Sequence, residues 1–320
     1  MSAILVTGGA GFIGSHLAVR LLQRGEEVII LDNLDPYYDV AIKQLNLERA
    51  RQHSQGSQLT IIEGDIRDHA LVQGIFAQHN IRKIAHLASL AGVRYSIDRG
   101  DLYAAVNTMG SVMLMNEARQ HGVELMVQAS TSSIYGQTTR VPFVEDDAPD
   151  FPLSPYAASK RAAEIFAHSY HVLFGFNVTS LRFFNVYGPF GRPDMMPLKA
   201  IRSILAGETI TLYDPDVLRR DWTYIDDTID GVIAALNHPL GYEIFNLGSG
   251  NPVLLKDFFE IYQRIIGKQA ITVEVPAPSS EPKITYCDNT RAREKLGFHP
   301  QTDLETGLTR TWEWYKTQYL

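Results

Sequence analysis

The chain has 320 residues, 45% of them hydrophobic, which is enough to bury a large α/β core in one domain or in two closely joined domains. Its formal charge of −7 provides no broad basic face, so we expect no nucleic-acid partner. The single cysteine, Cys287, excludes an intrachain disulfide framework and argues against a structural zinc site, so no metal is expected.

The first predicted element is a short buried strand over residues 4–7, followed by the glycine-rich turn Gly8–Gly14 and an apolar helix. Glycine is needed where backbone approaches a pyrophosphate, and the start of the helix offers N–H groups to phosphate. A second strand ends at Asp32, whose carboxylate can accept hydrogen bonds from a ribose 2′-hydroxyl and repels a 2′-phosphate. The pattern predicts a dinucleotide site that prefers NAD to NADP. The alternative is that Asp32 only caps a loop.

Strands continue to alternate with helices, which predicts a doubly wound parallel α/β sheet with its ligand at the carboxyl ends of the strands. Two of these strands are followed by residues that close their carboxyl ends: residues 59–63 by Asp65 and Ile66, and residues 83–86 by Leu87 and Ala88. The first pair would lie on the adenine side of a bound dinucleotide. Ordinary loop packing is the alternative for all four residues.

Two polar residues stand out in the next segment. Arg94 follows a predicted strand end, where it could hold a substrate anion or simply be solvated. Asn107 lies within an apolar helix predicted from about residue 102 to 121, where a lone amide could satisfy local backbone or order a proton path.

Hydroxyl side chains follow a strand predicted over residues 124–129, in the run Ser130–Gly136. At a strand end near the expected nicotinamide, one of them can hydrogen-bond the reacting hydroxyl and pass its proton on. Turn formation by these side chains is the alternative.

Ser154 and Pro155 predict the start of a long helix that carries Tyr156 and Lys160 on one face. A phenol has a pKa of about 10, and a nearby ammonium favours the phenolate. Such a tyrosine can take a proton from an alcohol while a hydride leaves the same carbon. The pair alone is a weak indication, but here it accompanies a predicted dinucleotide site and a hydroxyl partner.

In the second half, Asp226 and Asp227 are predicted to cap a helix that runs to about residue 236, and a strand over residues 244–248 should rejoin the first sheet. A helix is predicted over residues 253–266. The final helix, from about Leu304, carries aromatic residues that we expect to pack in a core.

These motifs resemble those of the extended short-chain dehydrogenase/reductase family, specifically its nucleotide-sugar epimerases and dehydratases. The residues that carry the resemblance are Thr7–Gly14, Asp32, Asp65, Ile66, Ser130–Gly136, Tyr156, Lys160, Leu181–Pro189 and Arg220–Asp227. Thr131 lies 25 residues before Tyr156, which is the family's spacing for its catalytic Ser or Thr. The resemblance therefore implies NAD as the cofactor and a catalytic trio of Thr131, Tyr156 and Lys160.

The resemblance also limits the reaction. Related dehydratases carry Thr-Asp-Glu at the hydroxyl site and uronate decarboxylases tend to carry Thr-Ser-Glu, whereas this chain has Thr131-Ser132-Ser133 without a carboxylate. What remains is epimerisation at C4 of a UDP-sugar through a 4-keto intermediate. The residues 91–96, 189–195 and 35–39 look most like those of UDP-glucuronate 4-epimerases, which implies conversion of UDP-glucuronate to UDP-galacturonate.

A glucuronyl carboxylate needs a cationic partner, for which Arg192 is the candidate; contact with the pyrophosphate or a structural loop role is the alternative. The segment Pro278–Pro282 lacks an arginine with which some hexose epimerases of the family contact the nucleotide. Three alternatives stay open: a UDP-glucose or UDP-N-acetylglucosamine 4-epimerase, a UDP-glucuronate decarboxylase, and a non-catalytic NAD-binding protein.

The resemblance implies an NAD-binding Rossmann domain over residues 1–184 and 224–251, and a smaller α/β nucleotide-sugar-binding domain over residues 185–223 and 252–320. The residues predicted to bind NAD are Gly8, Gly11, Phe12, Ile13, Gly14, Asp32, Asn33, Asp65, Ile66, Leu87, Ala88, Asn107, Tyr156 and Lys160. The residues predicted to bind substrate are Arg94, Ser132, Ser133, Asn185, Arg192, Tyr213 and Arg220.

The helices predicted around residues 102–121 and 156–174 carry apolar side chains on more than one face. A helix that is apolar all round needs cover, which a homodimeric four-helix bundle would supply. No apolar run reaches membrane-spanning length and Met1 leads directly into a strand, so we expect a cytoplasmic protein without a membrane partner.

Overall fold

A computed structural model describes residues 2–55, 58–138, 140–147, 150–278 and 282–320. The chain divides into two compact units. Unit 1 comprises Met1–Gly136, Asp147–Phe183 and Ile229–Phe245, and unit 2 comprises Gln137–Asp146, Phe184–Thr228 and Asn246–Leu320. Part of the segment Pro278–Pro282, noted above for its missing arginine, lies outside the described residues.

Unit 1 is built on a seven-stranded sheet. Its strands are β1 (Ala3–Thr7), β2 (Glu27–Asp32), β3 (Leu59–Glu63), β4 (Ile81–His86), β5 (Leu125–Thr131), β6 (Asn177–Phe183) and β10 (Tyr242–Leu247), of which the last two residues of β10 belong to unit 2. Their order across the sheet is β10-β6-β5-β4-β1-β2-β3, and the pairings from β3 to β6 are parallel. The predicted doubly wound α/β fold is confirmed. The order reverses between β1 and β4, the point at which such sheets bind ligands.

Helices cover this sheet. They are α1 (Phe12–Gln23), α2 (Val40–His53), α3 (His69–Gln78), α4 (Val93–Ser96), α5 (Gly100–Tyr103), α6 (Gly110–Gln120) and α7 (Pro155–Phe174). The helical stretch predicted from about residue 102 to 121 is confirmed, since the chain is helical from Gly100 to Gln120; the prediction did not include the π-helical turn over Ala104–Met109 that joins α5 to α6. Such turns occur mostly as single bulges within helices, often at functional sites.

The long helix α7 forms as its local sequence predicts. Ser154 is the N-cap, and its Oγ accepts a hydrogen bond from the N–H of Ala157 at 3.2 Å, with Pro155 at the first helical position. The helix ends at Gly175, whose φ of 66° is left-handed and favours glycine. The helix packs against β5 and β6, which fixes where its first turns lie on the sheet.

Unit 2 is a smaller α/β arrangement centred on one strand. Its strands are β7 (Asn185–Tyr187), β8 (Thr209–Tyr213), β9 (Arg219–Tyr224), β11 (Pro252–Leu254), β12 (Ile271–Val275) and β13 (Ile284–Thr285). The central β9 pairs with β7, β11 and β13, while β8 and β12 form a separate parallel pair. Its helices are α8 (Met196–Ala206), α10 (Leu255–Ile266), α11 (Thr290–Leu296) and α12 (Leu304–Tyr319). The helix α9 (Ile225–Asn237) begins in unit 2 and continues in unit 1.

Two details of unit 2 differ from the predictions. The helix predicted from residue 253 begins at Leu255, because the preceding residues pair with β9 as β11. Asp227 was predicted to cap α9, but its carboxylate accepts the backbone N–H groups of Gln301 and Thr302, each at 3.0 Å. It therefore holds the segment before α12. Trp312 and Tyr315 of α12 are buried, as predicted.

Among the residues that the structure describes, none of the helices combines the length and the apolar character needed to cross a bilayer.

Candidate active site

The glycine-rich turn after β1 brings the start of α1 to the carboxyl end of the sheet. Gly8 has a φ of +72°, and a Cβ atom there would lie 2.6 Å from the backbone nitrogen of Ala88, so a side chain is excluded. The N-cap of α1 is Gly11, which has no side chain to cap the first turn. The N–H groups of that turn are therefore available to an anion, and a pyrophosphate fits this arrangement.

Asp32 ends β2 beside this turn and is 8% exposed. Its Oδ2 accepts the N–H of Ala10 at 3.0 Å, its Oδ1 accepts the N–H of Leu34 at 2.9 Å, and Lys43 Nζ lies 3.7 Å from Oδ1. A carboxylate has about four acceptor positions, so these contacts leave room for a ribose hydroxyl. Asp32 therefore caps local backbone and also fits the predicted ribose contact.

The predicted adenine residues lie in different environments. The Asp65 carboxylate accepts hydrogen bonds from Asn33 Nδ2 at 2.9 Å and from Arg67 Nε and Nη2 at 2.9 and 2.8 Å. These hydrogen bonds, chiefly those of Arg67, lower the pKa of Asp65 to about 2. Ile66 is buried and packs beside Gly110. The adenine contact of these two residues stays a prediction.

Thr131 is the last residue of β5 and precedes a 3₁₀ turn over Ser132–Tyr135. Its Oγ1 accepts the N–H of Ser133 at 3.2 Å and donates to Ser133 Oγ at 3.3 Å. Thr131 therefore does form a local turn, as the alternative interpretation held. The same contacts hold its hydroxyl at the carboxyl end of the sheet.

Tyr156 and Lys160 lie in the first turns of α7, which packs against β5 and against the turn Ser132–Tyr135. Tyr156 is half-buried, with its ring centre 6.1 Å from that of Tyr103. Lys160 is 3% exposed, and its Nζ donates to the carbonyl of Ala129 at 2.9 Å. Burial lowers the pKa of Lys160 to about 7, although the carboxylate of Glu164 acts in the opposite direction. A half-buried phenol thus lies one helical turn from a buried amine.

Asn107 connects this helix with the segment after β4. Its Oδ1 accepts the N–H of Leu90 at 2.8 Å, and its Nδ2 donates to the Leu90 carbonyl and to Ser159 Oγ, both at 3.0 Å. Ser159 Oγ in turn donates to the carbonyl of Tyr156 at 2.8 Å. Asn107 therefore satisfies backbone outside its own helix and helps to fix the start of α7.

His86 is a buried polar residue that the sequence analysis did not single out. Its ring nitrogens lie 2.7 Å from Thr7 Oγ1 and 2.9 Å from Ser111 Oγ. Burial, together with the charge of Lys160, lowers the pKa of His86 to about 3, so the ring is neutral at physiological pH. The signal that could have revealed it is a histidine between the apolar pairs Ile84-Ala85 and Leu87-Ala88.

The predicted substrate residues are divided between the two units. Ser132 and Ser133 lie in unit 1, as does Arg94, whose side chain is exposed on α4. Asn185 begins β7 and Tyr213 ends β8 in unit 2.

The two predicted arginines of unit 2 already have partners within that unit. Arg192 Nε and Nη2 donate to the carboxylate of Asp194 at 3.0 and 2.6 Å. Arg220 Nη1 donates to the carbonyls of Arg219 and Lys283 at 2.9 and 3.3 Å. A substrate anion would therefore meet an Arg192 whose charge is partly balanced.

The sheet is doubly wound, its first turn is rich in glycine and an acidic residue ends β2. The helix that carries Tyr156 and Lys160 packs on β5. These features together define a dinucleotide-dependent, oxidoreductase-type protein. The sequence model of the family described as GDP-mannose 4,6 dehydratase matches residues 5–311. The chain belongs to this family, within the extended short-chain dehydrogenases/reductases.

Individual proteins of this kind match almost the whole chain. A Thermodesulfobacterium geofontis protein named UDP-glucuronate 4-epimerase is 40% identical over 318 residues, which cover 99% of this chain and 97% of that protein. The crystal structure of a UDP-glucuronic acid 4-epimerase from Bacillus cereus, in complex with UDP-glucuronic acid and NAD, has a TM-score of 0.90 at 32% identity and covers 99% of this chain and 100% of that chain. A UDP-glucose 4-epimerase from Thermotoga maritima, solved with UDP-glucose, has a TM-score of 0.89 at 30% identity, with coverage of 99% and 100%.

Proposed function

We propose that this protein is an NAD-dependent UDP-glucuronate 4-epimerase that interconverts UDP-glucuronate and UDP-galacturonate. The observation that carries the proposal is the buried amine of Lys160 one turn from the phenol of Tyr156, on a helix packed against the end of β5. The full-length similarity to proteins named UDP-glucuronate 4-epimerase supports the substrate.

The turn Gly8–Gly14 would hold the pyrophosphate of NAD, and Asp32 would hold its adenosine ribose. When bound, NAD⁺ supplies reversible hydride acceptance at C4 of the sugar. Thr131 would hydrogen-bond the 4-hydroxyl and orient it toward Tyr156, which takes the proton as general base. Lys160 would stabilise the phenolate and contact the nicotinamide ribose. After the 4-keto sugar has turned over, Tyr156 returns the proton to the other epimer.

Dehydration and decarboxylation have less support in the site. Eliminating water would need an additional acid and base beside Thr131, and the residues present there are Ser132 and Ser133. A UDP-glucose 4-epimerase is the second candidate, because the Thermotoga maritima enzyme of that name is nearly as similar in structure.

The product mixture separates these functions. The purified protein is incubated without added NAD, separately with UDP-glucuronate, UDP-glucose and UDP-N-acetylglucosamine, and the products are resolved by chromatography. We expect UDP-galacturonate from the first substrate and much slower conversion of the other two. A UDP-pentose as main product would indicate a decarboxylase, and preferred conversion of a neutral sugar would indicate a hexose epimerase. Bound NAD without any turnover would indicate a non-catalytic protein.

We further propose that Arg192 holds the glucuronyl carboxylate and keeps it out of alignment with the 4-keto group, because a 4-keto uronate is a β-keto acid that can lose carbon dioxide. Arg192→Ala should lower kcat/KM for UDP-glucuronate by about 10- to 100-fold, the usual effect of losing a charged hydrogen-bond partner. The fraction of UDP-pentose by-product should rise. Arg264→Ala is the matched control, because Arg264 also pairs with a carboxylate of unit 2, Glu305 at 2.9 Å. An unaltered by-product fraction in Arg192→Ala would refute the proposed protective role.

We also propose that unit 1 serves as the NAD-binding domain and unit 2 as the nucleotide-sugar-binding domain, close to the ranges predicted from the sequence. The four substrate candidates Asn185, Arg192, Tyr213 and Arg220 in unit 2 support this assignment. The cytoplasmic location stays a prediction from the sequence.

We propose, finally, that the protein is a homodimer joined by a four-helix bundle of α6 and α7. Apolar side chains on or beside these helices remain exposed in the single chain: Met109, Ile165, Phe166, Val172, Leu173 and Phe174. In multi-angle light scattering the wild type should have twice the mass of one chain, which is 35.8 kDa. Ile165→Glu combined with Val172→Glu should give a monomer with the mass of one chain. Val217→Glu, at an exposed apolar residue of unit 2, is the control. A monomeric wild type would overturn the proposal.

A further inference from the structure

A buried ion pair joins α7 to β6 within unit 1. Arg182 Nε donates to Glu164 Oε1 at 3.0 Å and Arg182 Nη2 donates to Glu164 Oε2 at 2.9 Å, and both side chains are fully buried. Burial by itself would raise the pKa of Glu164, but the hydrogen bonds and charge of Arg182 outweigh it and hold that pKa below its ordinary value. The pair is therefore charged at neutral pH.

The pair holds the chain on both sides of Thr131. Ser130 Oγ donates to Glu164 Oε1 at 2.6 Å, and Ser130 is the residue before Thr131 in β5. Arg182 Nη1 donates to Tyr135 Oη at 2.9 Å, and Tyr135 ends the 3₁₀ turn that follows Thr131. The guanidinium carbon also lies 5.0 Å from the centre of the Tyr135 ring. One ion pair thus contacts the strand before Thr131 and the turn after it.

The same pair fixes that strand to the catalytic helix. Glu164 lies four residues after Lys160 on α7, so both side chains share a helix face. Lys160 binds the carbonyl of Ala129 at 2.9 Å, and Glu164 binds the side chain of the next residue, Ser130. Two successive turns of α7 therefore hold two successive residues of β5.

The free energy needed to bury the charges of Glu164 and Arg182 suggests that the pair fixes the positions of its neighbours. Well-packed apolar side chains often stabilise a core as well as a buried ion pair does, because both ions must lose their hydration. Apolar side chains cannot, however, supply directional hydrogen bonds to Ser130 and Tyr135. The geometry is suited to fixing positions rather than to adding stability.

We propose that Glu164 and Arg182 are positioning residues that hold Thr131 in fixed register with Tyr156 and Lys160. This proposal rests on the proposed function for its kinetic consequence. Its structural part, the fixing of the segment around Thr131, does not depend on which substrate the protein uses.

The test removes the hydrogen bonds that the ion pair makes with Ser130 and Tyr135 and leaves the ion pair itself intact. Removing either charged side chain would leave a buried charge without its partner and would endanger folding. In Ser130→Ala combined with Tyr135→Phe, amide hydrogen exchange in the peptide covering residues 129–136 should become at least about tenfold faster. With UDP-glucuronate, kcat should fall about 10- to 100-fold while KM stays within a factor of about two, as expected when a reacting group is misplaced. Ser203→Ala is the control, since Ser203 also donates to a glutamate, Glu208 at 3.2 Å, in unit 2.

A double-mutant cycle distinguishes positioning from general support of the fold. If the pair acts through Thr131, adding Ser130→Ala and Tyr135→Phe to Thr131→Val should cause no further loss of kcat. A full additional loss in that background, or unchanged exchange in residues 129–136, would overturn the proposal. A wild type that does not turn over UDP-glucuronate would overturn the proposed function instead, and the exchange result would then decide the positioning role alone.

Discussion

Tyr156→Phe is expected to reduce turnover of UDP-glucuronate by at least about 10³-fold, within the range that a general base contributes. The substitution removes one oxygen and keeps the ring, which packs near Tyr103 with centres 6.1 Å apart. The turn Gly8–Gly14 and Asp32 are untouched, so NAD should stay bound. Turnover is measured by product chromatography, and bound nucleotide is measured by absorbance after denaturation.

Tyr170→Phe is the matched control for this variant. Tyr170 lies on the same helix, and its hydroxyl donates to Asn116 Oδ1 at 2.6 Å, away from the residues predicted to react. It should keep wild-type turnover. If Tyr156→Phe retained turnover as well, another group would have to accept the proton, and the catalytic assignment of Tyr156 would be wrong.

Much of the framework of the site could be predicted because its determinants are local. Glycines between a predicted strand and a predicted helix indicate the turn Gly8–Gly14. The position of Asp32 at the end of the next strand indicates the acidic residue of the same site. Tyr156 and Lys160 share a face because they lie four residues apart on a helix. The start of that helix follows from Ser154, whose hydroxyl caps it as expected.

What could not be predicted depends on contacts distant in sequence. The π-helical turn is stabilised where Asn107 binds the backbone of Leu90, which lies 17 residues away. Asp227 is at a helix start, where capping is the local expectation, yet its carboxylate binds backbone 74 residues further on. Local propensity carries no information on such partners.

The ion pair of Glu164 and Arg182 escaped prediction for a related reason. Each residue interrupts an apolar pattern, which from sequence alone is equally consistent with a solvated position. Only the folded sheet brings the pair beside Ser130, since β5 and β6 place Ser130 opposite Arg182 in register. An arginine among the apolar residues Val178, Leu181 and Phe183 was the available signal, because a charge that is buried with such neighbours requires a partner.

The buried amine of Lys160 should lower the free energy of unfolding of the protein. Replacing Lys160 by an apolar residue should therefore raise that free energy. An unfolded lysine has a pKa near 10.5, whereas burial lowers that of Lys160 to about 7. Below about pH 7 the amine is charged in both states, and the native state bears the full desolvation cost, at most about 5 kcal/mol. Between pH 7 and 10.5 the unfolded state binds more protons, so this destabilisation decreases as the pH rises.

Lys160→Met should therefore increase the free energy of unfolding at pH 7 by about 1–3 kcal/mol, because losing the hydrogen bond to Ala129 offsets part of the gain. The gain should shrink as the pH approaches 10.5, and turnover should be lost. The measurement is urea unfolding of nucleotide-free protein at several pH values, with Lys199→Met, at an exposed lysine of α8, as the control. A Lys160→Met protein less stable than wild type at pH 7, or a stability difference independent of pH, would mean that the amine is hydrated in the native state. Lys160 would then favour the Tyr156 phenolate as a hydrated, charged ammonium and not as a desolvated amine.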